Sequence, residues 1–111
     1  MKDNKLLLEN LEVYQIDTFE NVTFVKFSKE SLWQVWEPNS NWNQLMMVVE
    51  KIRQERNQPE NLAKLNDPDF YYDLHDILAM LCASYIGKCD YNITDIHNAC
   101  VEYIKQDTLE K

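Results

Sequence analysis

The sequence predicts an α+β fold, a small antiparallel β-sheet packed with three main amphipathic helices in α-β-α layers. Three observations predict it. Apolar residues recur at helical spacing in three long stretches of the chain. Two short runs ahead of these are rich in β-branched and aromatic residues. The length of 111 residues, 45% hydrophobic and 27% charged, with one Gly and three Pro, suits one soluble globular domain over residues 1–111. A chain of that size buries enough surface to need no disulfide or metal staple.

The elements follow in order. Leu7, Leu8 and Leu11 stand at i, i+1 and i+4, the spacing of a short helix, with Asp3 or Asn4 as its N-cap. Val13-Tyr14-Gln15-Ile16 adds a short strand. Val22-Thr23-Phe24-Val25-Lys26-Phe27 reads as a strand, Ser28-Lys29-Glu30-Ser31 as a hairpin loop, and Leu32-Trp33-Gln34-Val35-Trp36 as the paired strand. Pro38 ends that strand, because proline cannot donate to a ladder. Alternation points Trp33 and Val35 one way, Leu32 and Trp36 the other. A sheet apolar on both faces wants a cover on both, from helices or from another subunit.

The first long helix spans residues 40–57. Asn41 and Gln44 have the spacing of a capping box, and Trp42, Leu45, Met46, Val49 and Ile52, with Val48 beside them, form its apolar stripe. Pro59 to Leu65 makes one or two turns. The second long helix spans 68–86, with Asp67 as N-cap, Pro68 at the first helical position and Asp69 in the first turn. Its stripe is Phe70, Leu74, Ile77, Leu78, Leu81, Cys82 and Tyr85; Gly87 ends it, and Lys88 complements the dipole. The third spans 93–106, starting near Asn92 or Thr94, with Ile96, Ala99, Cys100, Tyr103 and Ile104 on its apolar side and a fraying tail from Asp107.

Charge limits the function classes. There are 11 Lys and Arg against 19 Asp and Glu, a net charge of −8. Residues 1–57 balance to −2, from nine acids and seven bases, and residues 58–111 to −6, from ten acids and four bases. Nucleic-acid binding needs clustered Lys and Arg, so no direct nucleic-acid contact is expected. The acidic half serves as a solubilising surface, or as a face toward a basic protein partner, including one that itself holds nucleic acid. The contacts for that face are Asp69, Asp73, Asp76, Asp90 and Asp95. Met1-Lys2-Asp3-Asn4-Lys5 leads into only three consecutive leucines, short of the roughly 7–15 residues of a signal-peptide core. No apolar run nears the roughly 20 residues of a membrane span. Three cysteines in such a chain point to free thiols in a reduced, cytoplasmic setting.

His75, His97, Cys82, Cys89 and Cys100 all lie in the last 37 residues. Their spacing lacks the close ligand pairs of structural zinc, and Cys82 and Cys100 fall on apolar stripes, so no metal and no cofactor is expected. Asp69, Asp73 and Asp76 fall at i, i+4 and i+7 on one helix face. A helix face makes no cleft between carboxylates, and no Ser or Cys carries a nucleophile motif, so no catalytic residue is assigned. Thirteen residues are aromatic. With one sheet face left open, Trp33 or Trp36 becomes the contact for a partner or for a second copy in a homodimer. The alternative is an aromatic pocket that sequesters a signalling nucleotide.

The string Asn41-Trp42-Asn43-Gln44-Leu45-Met46-Met47-Val48-Val49-Glu50-Lys51-Ile52 resembles one that recurs in short proteins of bacteriophages and of gut bacteria carrying them. Asn98-Ala99-Cys100-Val101-Glu102-Tyr103-Ile104-Lys105 is similar to the second string of that group, called the phage ABA-sandwich domain. Between the two strings the group has extended strands, where residues 68–87 here read as a helix. The resemblance implies an α-β-α layered domain, a mobile-element origin and no catalytic residues. By analogy with small acidic phage proteins, it implies a chain that occupies the surface of a host protein, such as a defence protein.

Overall fold

The computed structural model describes residues 2–65, 69–87 and 90–110. The chain is α+β, with, among the described residues, a three-stranded antiparallel sheet of order β1-β2-β3 and five α-helices. Helix α1 (Lys2–Glu9) precedes β1 (Gln15–Phe19), β2 (Val22–Lys26) and β3 (Gln34–Val35). Then come α2 (Trp42–Arg56), the single turn α3 (Pro59–Leu62), α4 (Leu74–Leu81) and α5 (Ile93–Glu110). A π-helical turn, Cys82–Ile86, continues α4.

The core lies among the helices. Leu7 and Leu8 of α1, Leu45, Val48, Val49 and Ile52 of α2, Ile77 and Leu81 of α4, and Ile96, Ala99, Cys100, Val101, Tyr103 and Ile104 of α5 are buried. Each such large side chain contributes about 1.5–3 kcal/mol by leaving water. The α5 stripe is the one read from the sequence, with Val101 added. The α2 stripe differs at its start: Val48 is inside, while Trp42 is 45% exposed. Trp42 is the first helical residue and stands at the end of the stripe.

Several boundaries move, each for a local reason. β1 runs over residues 15–19, not 13–16, because Glu20 and Asn21 both adopt positive φ (50° and 67°) and close a two-residue hairpin. Two successive left-handed residues make the turn whose twist matches paired strands. β3 is only two residues long, although the Trp36 N–H still donates to the Thr23 carbonyl at 2.8 Å. Helix α4 starts at Leu74, not at 68, because Asp73 caps it. Asp73 Oδ1 accepts from the Asp76 N–H at 2.8 Å, and Asp76 Oδ2 accepts from the Asp73 N–H at 3.4 Å. The residues just before it form no helix, and Asn57 holds Tyr72: its Nδ2 donates to the Tyr72 carbonyl at 2.9 Å, and its Oδ1 accepts from the Tyr72 N–H at 2.8 Å. The cap expected at Asp67-Pro68 and the dipole partner Lys88 lie outside the described residues.

Gly87 ends the helix in the left-handed region (φ 69°), as the sequence predicts. Helix α5 opens on a reciprocal cap: Asn92 Oδ1 accepts from the Asp95 N–H at 2.8 Å, and Asn92 Nδ2 donates to Asp95 Oδ2 at 3.1 Å. It continues through Glu110, past the residue where fraying was expected.

The helices cover one face of the sheet. Val25 and Trp36 enter the core from that face, and Phe27 meets Trp36 edge-on at 6.2 Å. All five residues of β1 are exposed. The molecule measures 48 × 29 × 26 Å, elongated for its size. The sheet face that bears Phe19, Val22, Trp33 and Val35 stands exposed. No helix among the described residues is long and apolar enough to cross a membrane.

Candidate interaction surface

Strand register assigns the open face. Paired residues share a face, so Phe19↔Val22, Asp17↔Phe24, Gln15↔Lys26 and Phe24↔Val35 lie on one side. Ile16↔Val25, Thr18↔Thr23 and Val25↔Gln34 lie on the other, where Val25 is buried. Trp33, one residue outside β3, falls by the same alternation on the side of Val35. On that open side Phe19 is 66% exposed, Trp33 46%, Val22 39% and Val35 39%, with Phe24 half-buried between them. These side chains form one exposed apolar patch on the sheet. Its surroundings are acidic. Glu12, Asp17, Glu20, Glu30 and Glu37 are all exposed, against Lys26 and Lys29 in the same stretch.

The two sheet edges differ. Gln44, buried in α2, reaches the outer edge of β3. Its Nε2 donates to the Val35 carbonyl at 2.7 Å and to Gln34 Oε1 at 3.2 Å, and its Oε1 accepts from the Glu37 N–H at 2.7 Å. One carboxamide thus does what a neighbouring strand would do. The capping box expected of Asn41 and Gln44 is half present. Asn41 Oδ1 accepts from the Gln44 N–H at 3.1 Å, but the Gln44 side chain goes to the sheet, where unpaired backbone groups compete for it. On β1, the two-residue turn makes Phe19↔Val22 the closing hydrogen-bonded pair, so Ile16 and Thr18 point their backbone groups outward. The Thr18 N–H is taken by its neighbour, Asp17 Oδ1, at 2.9 Å.

Trp36, read from sequence as a surface contact, is a core residue at 4% exposure. Its indole N–H donates to the Asn4 carbonyl at 2.5 Å. Asn4 is not the cap of α1 but a buried hub within it. Its Nδ2 donates to Asn39 Oδ1 at 2.7 Å, and its Oδ1 accepts from His97 Nε2 at 2.6 Å. This network joins α1, the β3–α2 connection and α5. Burial holds the His97 imidazole below its ordinary pKa, against a side-chain hydrogen bond with Asn98 and the Asp3 carboxylate, both of which raise it. Nothing in the sequence signals that His97 and Asn4 meet across 93 positions.

The acidic residues separate into two kinds. Asp69, Asp73 and Asp90 are exposed, and Asp76 is half-buried. Asp73 and Asp76 cap α4, and Asp90 is next to Tyr91, whose ring stacks on His75 at 6.4 Å. These therefore gather near the start of α4, beside the exposed Tyr71. Asp95 does not join them: it is 8% exposed and bonded to Asn92. Across from Tyr71, Arg53 pairs with Glu50 and donates to the Tyr71 hydroxyl at 2.9 Å; the pair lowers the Glu50 pKa.

Cys82 and Cys100 are buried. Burial, with a smaller contribution from Cys82, pushes the Cys100 thiol up to about 12. Cys89 lies outside the described residues. Among the described residues no three His, Cys, Asp or Glu gather as a metal site. Trp36 borders a recess of about 260 Å³ with Asn4, Asn21, Glu37 and Asn39, smaller than the roughly 300–1,000 Å³ of ligand pockets. A larger cleft, about 490 Å³, lies between Leu11, Glu12 and α2 residues Met46, Met47 and Glu50, with no aromatic lining.

Comparison of the chain with protein-family models, with curated proteins and with solved structures finds no match.

Proposed function

We propose that this is a non-catalytic binding protein, cytoplasmic and of phage or mobile-element origin, that works by occupying the surface of a host protein. The observation that carries the proposal is the open sheet face bearing Phe19, Val22, Trp33 and Val35 within an acidic surround. A chain that buries Val25 and Trp36 yet leaves that face to water has a surface suited to a partner. The net charge of −8 supports a basic partner, such as a defence protein whose surface normally holds nucleic acid. The resemblance of residues 41–52 and 98–105 to short phage proteins supports the origin. The exposed carboxylates Asp69, Asp73 and Asp90 support a second contact on the same partner.

The test is a pull-down from host lysate at low and high salt, with wild type and a Phe19→Ser, Trp33→Ser double variant. The expected result is a basic protein captured by wild type, released in part by salt and lost with the double variant. Capture indifferent to both changes refutes the proposal. The nucleotide-sequestering alternative predicts a rise in melting temperature with a nucleotide panel; the small Trp36 recess disfavours it.

A further inference from the structure

Resting on that binding role, we infer what covers the open sheet face: an apolar patch on a different protein, flanked by Lys or Arg, docked on the side chains without adding a strand. Three features of the surface lead there. Strand addition needs a free edge. The β3 edge is filled by the Gln44 carboxamide, and on β1 the Thr18 N–H is closed by Asp17. That leaves the Ile16 N–H and C=O and the Thr18 C=O, too short a ladder to anchor an incoming strand.

Charge decides the kind of partner. Residues 11–37 carry Glu12, Asp17, Glu20, Glu30 and Glu37 against Lys26 and Lys29, and Lys26 lies over the Tyr14 ring at 6.0 Å. Asp17 and Glu20 flank Phe19 itself. A second copy would set these carboxylates against each other, on a chain already at −8. A surface with basic residues around its apolar centre meets no such penalty, and each carboxylate finds a partner. Area agrees. The exposed parts of Phe19, Val22, Trp33 and Val35 amount to a few hundred Å², below the about 800 Å² per side of a standard stable interface. A contact of that size forms with a charge-matched partner rather than as a permanent homodimer.

The test uses two synthetic 14-residue amphipathic helices with one leucine stripe, one with lysine at every polar position and the other with glutamate. Trp33 reports binding in a Trp42→Phe background, since the buried Trp36 is a constant signal. The expected result is a blue shift with the lysine peptide, with affinity about tenfold above that for the glutamate peptide and falling at high salt. Phe19→Ser should weaken binding at least about tenfold without altering the circular dichroism, as Phe19 is 66% exposed. The protein alone should sediment as a monomer.

Equal or better binding of the glutamate peptide, protection of the Ile16 amide from exchange on binding, or a Phe19-dependent dimer would each overturn the inference while leaving a binding role standing. A Trp33 signal unmoved by either peptide would remove both the inference and this face as a binding surface.

Discussion

Replacing Gln44 by Leu tests how the sheet is joined to the helices. The Gln44 side chain is 1% exposed and makes three hydrogen bonds, to the Val35 carbonyl, Gln34 Oε1 and the Glu37 N–H. Leucine keeps the volume and removes all three. Each bond contributes about 1 kcal/mol net, and a backbone group left without a partner costs about 1–3 kcal/mol when water cannot reach it. Val35 and Glu37 are exposed residues, so water restores part of their bonding. The expected loss is therefore about 2 kcal/mol, or roughly a 10 °C drop in Tm for a chain of this length.

Urea unfolding gives the free energy, and amide exchange at Glu37 gives the local effect: that amide should exchange at least about tenfold faster, as a bond of this size implies. The companion variant Gln44→Glu sharpens the test. It sets a carboxylate oxygen against the Val35 carbonyl, which raises the folded-state pKa of the new acid. An acid whose pKa is higher folded than unfolded destabilises above that folded pKa and recovers as pH falls toward the unfolded value. Gln44→Glu should thus gain stability relative to wild type on acidification. A Gln44→Leu loss below about 0.5 kcal/mol with unchanged Glu37 exchange would refute the strand-substitute role.

Other outcomes follow from the same structure. Glu20→Gly should stabilise the protein by about 0.5–1 kcal/mol in urea unfolding, because Glu20 holds φ 50° against its side chain. Asp73→Ala should cost about 1 kcal/mol by removing the α4 cap, while Asp73→Asn keeps an accepting oxygen and should cost much less; equal losses would point instead to a charge effect. Stability should be level above about pH 7.5 and decline as pH falls through about 6.5, because burial keeps folded His97 neutral while the unfolded chain takes up the proton. His97→Gln should flatten that decline, and an unchanged slope would show that another group causes it.

The sequence by itself determined the helical part of the fold. Heptad-like apolar spacing in α2 and α5, the asparagine at the head of α2 and the glycine after Ile86 are local signals, carried by residues within a few turns of one another. It also showed that the sheet is apolar on both sides. Which side is covered was settled by tertiary packing: Trp33 and Trp36 are three residues apart and alike in composition, yet one is in solvent and the other bonds Asn4. Burial depends on what arrives opposite a side chain, and Asn4, Asn39, Gln44 and His97 arrive from distant positions. The acidic set divides for the same reason. Asp95 is drawn into a helix cap while Asp90 is exposed, and no count of carboxylates separates the two.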